Sequence, residues 1–343
     1  MLNNLIMKRN YYLMLFLSIL AMCSCHKPIV PIINQNPKVD VYVSGIEENS
    51  NSTYIAKYWK NETAVNLTDS LDAFAYSVAV SGKDVYVAGW QSSVPGTNVA
   101  KYWKNGNAIS LSSSYSEAYS IAVSGSDVYV AGMGGYWKNG DFVNLANSPS
   151  HYSVGSAIAV SGNDVYVAGT QNNGTWGIAT YWKNGIPVNL SDGVREANAY
   201  GITISGNDVY VAGREVMGVP NSNQIAAKYW KNGNPVYLTD GSTWAAANSV
   251  AVSGNDVYVA GYEAPSNGTL ATAKYWKNGA SISLTDGTKN GVANSIVISG
   301  NDVYVAGGEG DNAKYWKNGI PVTLNPGDNS VWASATSIFL VKQ

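Results

Sequence analysis

One stretch, Ser-Gly-Asn-Asp-Val-Tyr-Val-Ala-Gly, recurs seven times with few changes, centred on Tyr42, Tyr86, Tyr129, Tyr166, Tyr210, Tyr258 and Tyr304. Those tyrosines lie 37 to 48 residues apart. A second stretch, Lys-Tyr-Trp-Lys-Asn-Gly, follows each of them and carries Trp59, Trp103, Trp137, Trp182, Trp230, Trp276 and Trp316. Self-similarity at this period restricts a chain to a solenoid, a propeller or an array.

Each unit reads as four short strands. In the sixth, Ser249 to Val252 is an apolar run and Ser253 to Asp256 a turn cluster. Val257 to Ala260 is β-branched and aromatic, and Ala273 to Lys277 ends at Asn278-Gly279, a two-residue hairpin signal because both positions tolerate positive φ. Ser281 to Leu284 makes the fourth strand. No helical periodicity interrupts the pattern, and glycine is abundant at 35 residues. The first unit starts directly at Val39-Asp40-Val41, without an opening strand, and the chain ends in Ala335 to Val341, which matches the missing one. We therefore expect an all-β fold over residues 39–343, a seven-bladed β-propeller closed by the C-terminal strand completing the first blade.

The run Ser-Ile-Ala-Val-Ser-Gly-Asn-Asp-Val-Tyr-Val-Ala-Gly resembles the blade repeats of bacterial β-propeller proteins of the SBBP and NHL types. The resemblance covers the first two strands of each unit, about a third of the chain, and the Tyr-Trp-Lys-Asn-Gly hairpin departs from both patterns. It implies a propeller with a broad role in binding. Fold alone does not fix function.

The N-terminal segment reads as an address. Lys8 and Arg9 precede a short apolar run, Tyr11 to Met22, placed like the core of a secretory signal. The run ends in Met22-Cys23-Ser24-Cys25. This resembles the lipobox of bacterial lipoproteins, which implies a signal peptide over 1–25 and a lipidated cysteine. Ser24 favours Cys25, while Leu20-Ala21 favours Cys23. Residues 26–38, with Pro28, Pro31 and Pro37, read as an extended tether. No cysteine follows, so the repeats carry no disulfide, thiolate metal site or cysteine nucleophile.

In an up-and-down sheet the turns after strands one and three share one face, and the loops after strands two and four share the other. The first set is monotonous and the second varies in length and content. Variation is what a binding site needs. On the monotonous face, Asp40, Asp84, Asp127, Asp164, Asp208, Asp256 and Asp302 are expected to cap their own turns. Lys60, Lys104, Lys138, Lys183, Lys231, Lys277 and Lys317 are expected to solvate the hairpin tips. The Tyr-Trp pairs should pack between blades, with hydroxyl and indole N–H groups finding local partners. Acidic residues outnumber basic ones among the rest, so the variable face should repel phosphate backbones. A net charge of −2 likewise argues against a nucleic-acid partner.

The aromatics outside the repeat are the candidate binding residues. Trp90, Trp176, Trp244 and Trp332 read as variable-loop residues, as do Tyr54, Tyr115, Tyr152 and Tyr262. Tyr76, Tyr119 and Tyr200 share one equivalent place just before strand one, near the mouth of the expected central channel. Flat aromatics beside amides, hydroxyls and carboxylates suit sugar stacking or a protein contact. Catalytic signals are thin. His26 lies in the tether, leaving a lone His151, and nucleophile-elbow and phosphate-loop motifs are absent. Glu117, Glu196, Glu215, Glu263 and Glu309 lie on the variable face, where paired carboxylates would serve glycosidic cleavage. No cofactor or metal is expected.

The functional expectation is a monomeric outer-membrane or cell-surface lipoprotein, held to the membrane by its lipid anchor. Its propeller would bind a glycan, or an envelope or extracellular protein, without catalysis. The alternatives are a carbohydrate-active enzyme using loop carboxylates and a structural module of envelope assembly.

Overall fold

The structure, a computed structural model, describes residues 38–94, 96–146, 152–218, 224–266, 269–325 and 332–343. The signal-like segment, Cys23, Cys25, the tether to Pro37 and His151 lie outside the described residues. Val39–Gln343 forms one compact unit. It is all-β: its 28 strands form five four-stranded sheets and one eight-stranded sheet, with no helix among the described residues. The architecture is β-propeller-like. In the eight-stranded sheet the fifth and sixth units are joined by a single parallel pairing, Ile225 with Trp244.

Each unit is an antiparallel meander with its four strands in chain order, apart from the first. There Ala333–Lys342 pairs with Val39–Glu48 in the register Lys342 with Val39 and Ile338 with Val43. The hairpins after the third strands have positive φ at both central residues, for instance 50° at Asn278 and 86° at Gly279, as two-residue turns of the inverse type require. In the first unit Glu62 occupies the glycine place at φ 70°. The fourth strands are four residues long and form the outer edges, and Pro187, Pro235 and Pro321 deny those edges a donor.

The first two strands run longer than the apolar runs predict. In the sixth unit they span Trp244–Ser253 and Asp256–Ala264. The extension passes through a β-bulge, because Ala247 pairs with Gly261 and Ser249 with Ala260 while Asn248 is skipped. The same irregularity recurs in every unit, with Tyr76, Tyr119, Ser156, Tyr200, Asn248, Asn294 and Thr336 as the skipped residues. Opposite each bulge stands the glycine that ends Val-Tyr-Val-Ala-Gly. A Cβ on Gly89 would lie 1.8 Å from the Phe74 carbonyl oxygen and 3.1 Å from Trp103. Only glycine lets the bulged carbonyl and the buried indole approach one strand together.

The core lies at the junctions between units. Trp103 packs with Tyr42, Ala56, Ala73 and Val87, drawn from the first and second units, while Tyr102 packs toward the third. The last junction joins Trp59 and Val43 to Tyr304, Leu324 and Ile338. The first strands of successive units also touch side by side, and Ala333–Lys342 touches both Gly291–Ser299 and Ala73–Ser81. Polar contacts follow the same path: Ile296 N–H donates to Ser249 Oγ, Ile338 N–H to Ser295 Oγ, and Thr336 Oγ1 to the Ala75 carbonyl at 2.7 Å. The expectation that every indole N–H finds a partner fails. Nε1 of Trp59, Trp103, Trp182 and Trp230 is buried without one, because aliphatic side chains and glycine backbone surround these rings.

The repeated aspartates do not cap their own turns. In each unit Asp Oδ1 accepts from the Asn Nδ2 of the third-strand hairpin, at 2.7 to 2.9 Å, and Oδ2 faces the lysine ammonium at 2.7 to 3.6 Å. The same asparagine accepts from the backbone N–H after the aspartate, as Asn278 Oδ1 does from Val257 at 2.9 Å. The lysine lies over the motif tyrosine, 5.1 to 5.4 Å from the ring centre. Seven equivalent clasps thus tie two hairpins of one sheet together. They account for the lysines, which are partnered and not merely solvating.

Candidate functional site

The bulges decide where the non-repeated side chains go. A residue skipped by the ladder escapes strand alternation and is re-aimed. Tyr76, Tyr119 and Tyr200, expected just before strand one, lie within first strands Ala73–Ser81, Ala118–Ser124 and Ala197–Ser205, at the bulge itself. At the equivalent places Asn248 and Asn294 donate to the Ala293 and Ala335 carbonyls of the next unit.

Around Tyr76 and Tyr119 the rings form a continuous row. Trp332 meets Tyr54 edge-on at 6.0 Å, Tyr54 lies 5.2 Å from Phe74, Phe74 lies 5.9 Å from Tyr76, and Tyr76 lies 5.4 Å from Tyr119. Trp90 stacks on Phe74 at 4.8 Å with planes 17° apart, and its Nε1 donates to the Tyr76 hydroxyl at 3.3 Å. Trp90 is buried and belongs to strand Asp84–Val94, not to a loop, because it is the cross-strand partner of Phe74. It is tied to the row through Phe74 and Tyr76. Trp332, 37% exposed, is the solvent-facing end on the first unit, and Tyr115, 55% exposed, stands near the other end.

At that second end the tyrosines converge on Glu117. Its Oε2 accepts from the Tyr119 hydroxyl at 3.0 Å; its Oε1 accepts from Asn98 Nδ2 at 2.7 Å and the Tyr115 hydroxyl at 3.3 Å. Burial pushes the Tyr76 hydroxyl up to about 12, and raises Tyr119 with the Glu117 charge adding to it. At exposed Tyr115 the Glu117 charge is the first cause of the rise.

A second cluster gathers around Arg214. Its guanidinium lies 5.8 Å from the Tyr200 ring centre, its Nε donates to Asn198 Oδ1 at 3.3 Å, and Glu196 stands 3.7 Å away. Burial takes Tyr200 up to about 12. Trp244 meets Tyr262 edge-on at 5.7 Å. Trp244 opens the strand Trp244–Ser253 instead of lying in a loop, drawn in by its pairing with Ala264. Trp176 stands apart from both clusters, in a turn held by Asn173 Oδ1, which accepts from its backbone N–H at 2.8 Å. The seven binding candidates therefore divide: Trp332, Trp90, Tyr76 and Tyr119 come together, Tyr200 and Trp244 lie in or beside the second cluster, and Trp176 joins neither. Sequence reasoning missed Phe74 and Asn98, and also Arg214 as a stacking partner. Phe74 carried a usable signal, being one of only 4 phenylalanines.

Four of the five carboxylates proposed for chemistry find bases, Glu196 with Arg214 among them, while Glu117 meets only neutral donors. Glu215 pairs with Lys228, Glu309 with Lys314, and Glu263 with Lys274 at 2.6 Å. Glu47 pairs with the buried Lys57 at 2.9 Å in the same manner. No group of three His, Cys, Asp or Glu side chains able to hold a metal occurs among the described residues.

Scans against protein-family models and curated proteins give no match. Among solved structures, a puromycin-hydrolyzing peptidase from Mycobacterium tuberculosis is similar at a TM-score of 0.47 and 12% identity, over 84% of this chain. The chain spans about half that protein's length, 53% of it.

Proposed function

We propose that the seven units are the blades of a closed propeller and that its loop face is a non-catalytic glycan-binding surface. The ring reading is supported by the pairing of Ala333–Lys342 with Val39–Glu48 and by its contacts with first strands on both sides. The bulged side chains then point toward the axis at the loop end. The observation that carries the binding reading is the row Trp332, Tyr54, Phe74, Tyr76 and Tyr119, bordered by Asn98, Glu117 and tyrosine hydroxyls. Ring faces stack on sugar C–H surfaces, and amide, hydroxyl and carboxylate groups at the margin take up sugar hydroxyls. Lipidation at Cys25, or Cys23, would hold this surface at the outer membrane or cell surface.

The test is a glycan array probed with the wild-type protein and a Trp332→Ala/Tyr115→Ala variant. The wild type should retain a defined glycan class, and the variant should lose at least about tenfold in affinity, the worth of one or two stacking contacts. Its melting temperature should stay within about 2 °C, since both rings are solvent-facing. An empty array, or full binding by the variant, would refute the reading. A second reading, a protein partner, is favoured by Leu71, Val194 and Leu270, which are 42%, 71% and 45% exposed in loops of the same face. A pull-down lost on Leu71→Ser/Val194→Ser but kept by the aromatic double variant would support it over the glycan.

A further inference from the structure

On the loop face, a second-strand carboxylate regularly takes a third-strand lysine: Glu47 with Lys57, Glu215 with Lys228, Glu263 with Lys274, Glu309 with Lys314. The other three units depart from this rule: the third strands of the third and fourth carry no lysine at that place, and in the second the lysine, Lys101, donates to the neutral Gln91 at 2.9 Å. The carboxylate of that neighbourhood, Glu117, arrives from the following loop and is met by Asn98, Tyr115 and Tyr119, all neutral donors. Among the described residues Glu117 has no ion pair. Burial raises the Tyr119 hydroxyl with the Glu117 charge adding to it, and that charge is the first cause of the rise at Tyr115. Beside it the Tyr76 and Tyr119 rings lie 5.4 Å apart, their planes inclined at 58°.

A carboxylate without a cation, next to tilted aromatic faces, is the pairing that recognises an ammonium group. The charge provides the attraction, and the ring quadrupoles stabilise the cation where water is thin. We propose that Glu117, with the faces of Tyr76 and Tyr119, is an amine subsite that selects glycans carrying a free, protonated amino sugar. This rests on the glycan-binding reading above. Tyr115, the most exposed of the three donors, would yield its hydrogen bond to the incoming ammonium.

The test compares a glucosamine hexamer with its N-acetylated counterpart, binding to the full-length protein by calorimetry at about pH 6. The free-amine hexamer should bind about tenfold tighter, from one charge pair plus one cation–π contact. Glu117→Gln should abolish the preference while leaving the N-acetylated hexamer unchanged. Asp69→Asn, an exposed acid elsewhere on the face, should keep it. In the wild type the preference should shrink on raising salt from about 0.05 to 0.5 M, a measurement that needs no variant. Equal affinity for the two hexamers would overturn the amine subsite and leave the glycan reading standing. Equal loss in Asp69→Asn would overturn it too, by tracing the preference to the overall field of the face. Binding of neither hexamer would also overturn it, and the array then decides the broader reading on its own.

Discussion

Adjacent glycines in the seventh unit give opposite expectations for one and the same substitution. Gly307 stands opposite the bulge at Asn294, and a Cβ there would lie 2.0 Å from the Val292 carbonyl oxygen and 3.0 Å from Ala293 Cα. Carbon and oxygen approach to about 3.4 Å, so the two strands would have to part by about 1.4 Å at that point. Overpacking of this kind costs about 1–3 kcal/mol, and each ladder hydrogen bond lost adds about 1 kcal/mol. With one ladder bond lost, Gly307→Ala should therefore lose about 2–4 kcal/mol. At about 2 °C per kcal/mol for a chain of this size, the melting temperature should fall by about 4–8 °C. Gly308 is one residue on in the same strand, Asp302–Glu309, and its Cβ would meet only Asn312 O at 3.4 Å and Ser334 Oγ at 3.8 Å. Gly308→Ala should be neutral or gain about 0.5 kcal/mol from a stiffer unfolded chain. Scanning calorimetry of the two variants side by side makes the comparison. Equal melting temperatures for both, or a loss at Gly308 as large as at Gly307, would refute the argument that the bulge dictates the glycine.

Asn278→Ala should cost about 2–3 kcal/mol by chemical denaturation. It removes the bonds to Val257 N–H and Asp256 and leaves an alanine at φ 50°; a loss under about 0.5 kcal/mol would contradict the clasp. Glu62 combines a left-handed φ of 70° with a carboxylate that accepts from the Tyr315 hydroxyl at 3.2 Å across the junction of the first and last units. Glu62→Ala keeps the strain and loses the bond, whereas Glu62→Gly loses both, so glycine should melt higher than alanine by the equivalent of about 1 kcal/mol. In acid the clasps should fail together. Lysine and asparagine donors hold Asp84, Asp164, Asp208 and Asp256 below the usual carboxylate range. A depressed folded value means the contribution is complete above the unfolded value near 4, and is lost as pH falls below that through the folded values. Melting temperature against pH should be flat from about 7 to 5 and drop below about 4, and a flat profile down to pH 3 would count against the clasps.

Much of the scaffold was legible because its causes are local. Asn-Gly between two β-rich runs specifies a hairpin through φ alone, and an apolar run of β-branched residues specifies a strand. The bulge was hidden because its cause is not local. The sequence shows only that Val-Tyr-Val-Ala, or Val-Tyr-Val-Ser in the first unit, ends in glycine each time, and a glycine at a strand end reads equally well as a turn. What it does depends on the Phe74 carbonyl and the Trp103 ring, which lie on two other strands. The aspartates were misassigned for the same reason. An Asp beside a Gly-Asn turn looks like that turn's own cap, yet its partners come from a hairpin some twenty residues on. Trp90 and Trp244 read as loop residues because the apolar runs stop short of them, while the pairing continues past the bulge.

The bulge links the part of the chain that repeats to the part that does not. Strand alternation sends successive side chains into the junctions on either side of a unit, where Trp, Tyr, Val and Ala are fixed by packing. One skipped residue per unit escapes that demand and can differ from unit to unit without disturbing the core. The seven positions hold Tyr, Tyr, Ser, Tyr, Asn, Asn and Thr, while the glycines opposite them do not vary. Where the residue is Asn or Thr, its side chain is spent on a neighbouring carbonyl. Where it is tyrosine it joins the ring contacts of the loop face, stacking with Phe74 and Tyr119 or lying under Arg214. Exchanging the two types should therefore separate stability from binding. Tyr76→Asn should lower melting by no more than about 4 °C, the worth of the Trp90 N–H bond and one ring contact, because the buried indole of Trp103 and its glycine are untouched, and it should interrupt the row at its middle and abolish retention on the array. A large fall in melting temperature would show that the row holds the sheet together, and the division between scaffold and site at the bulge would be lost.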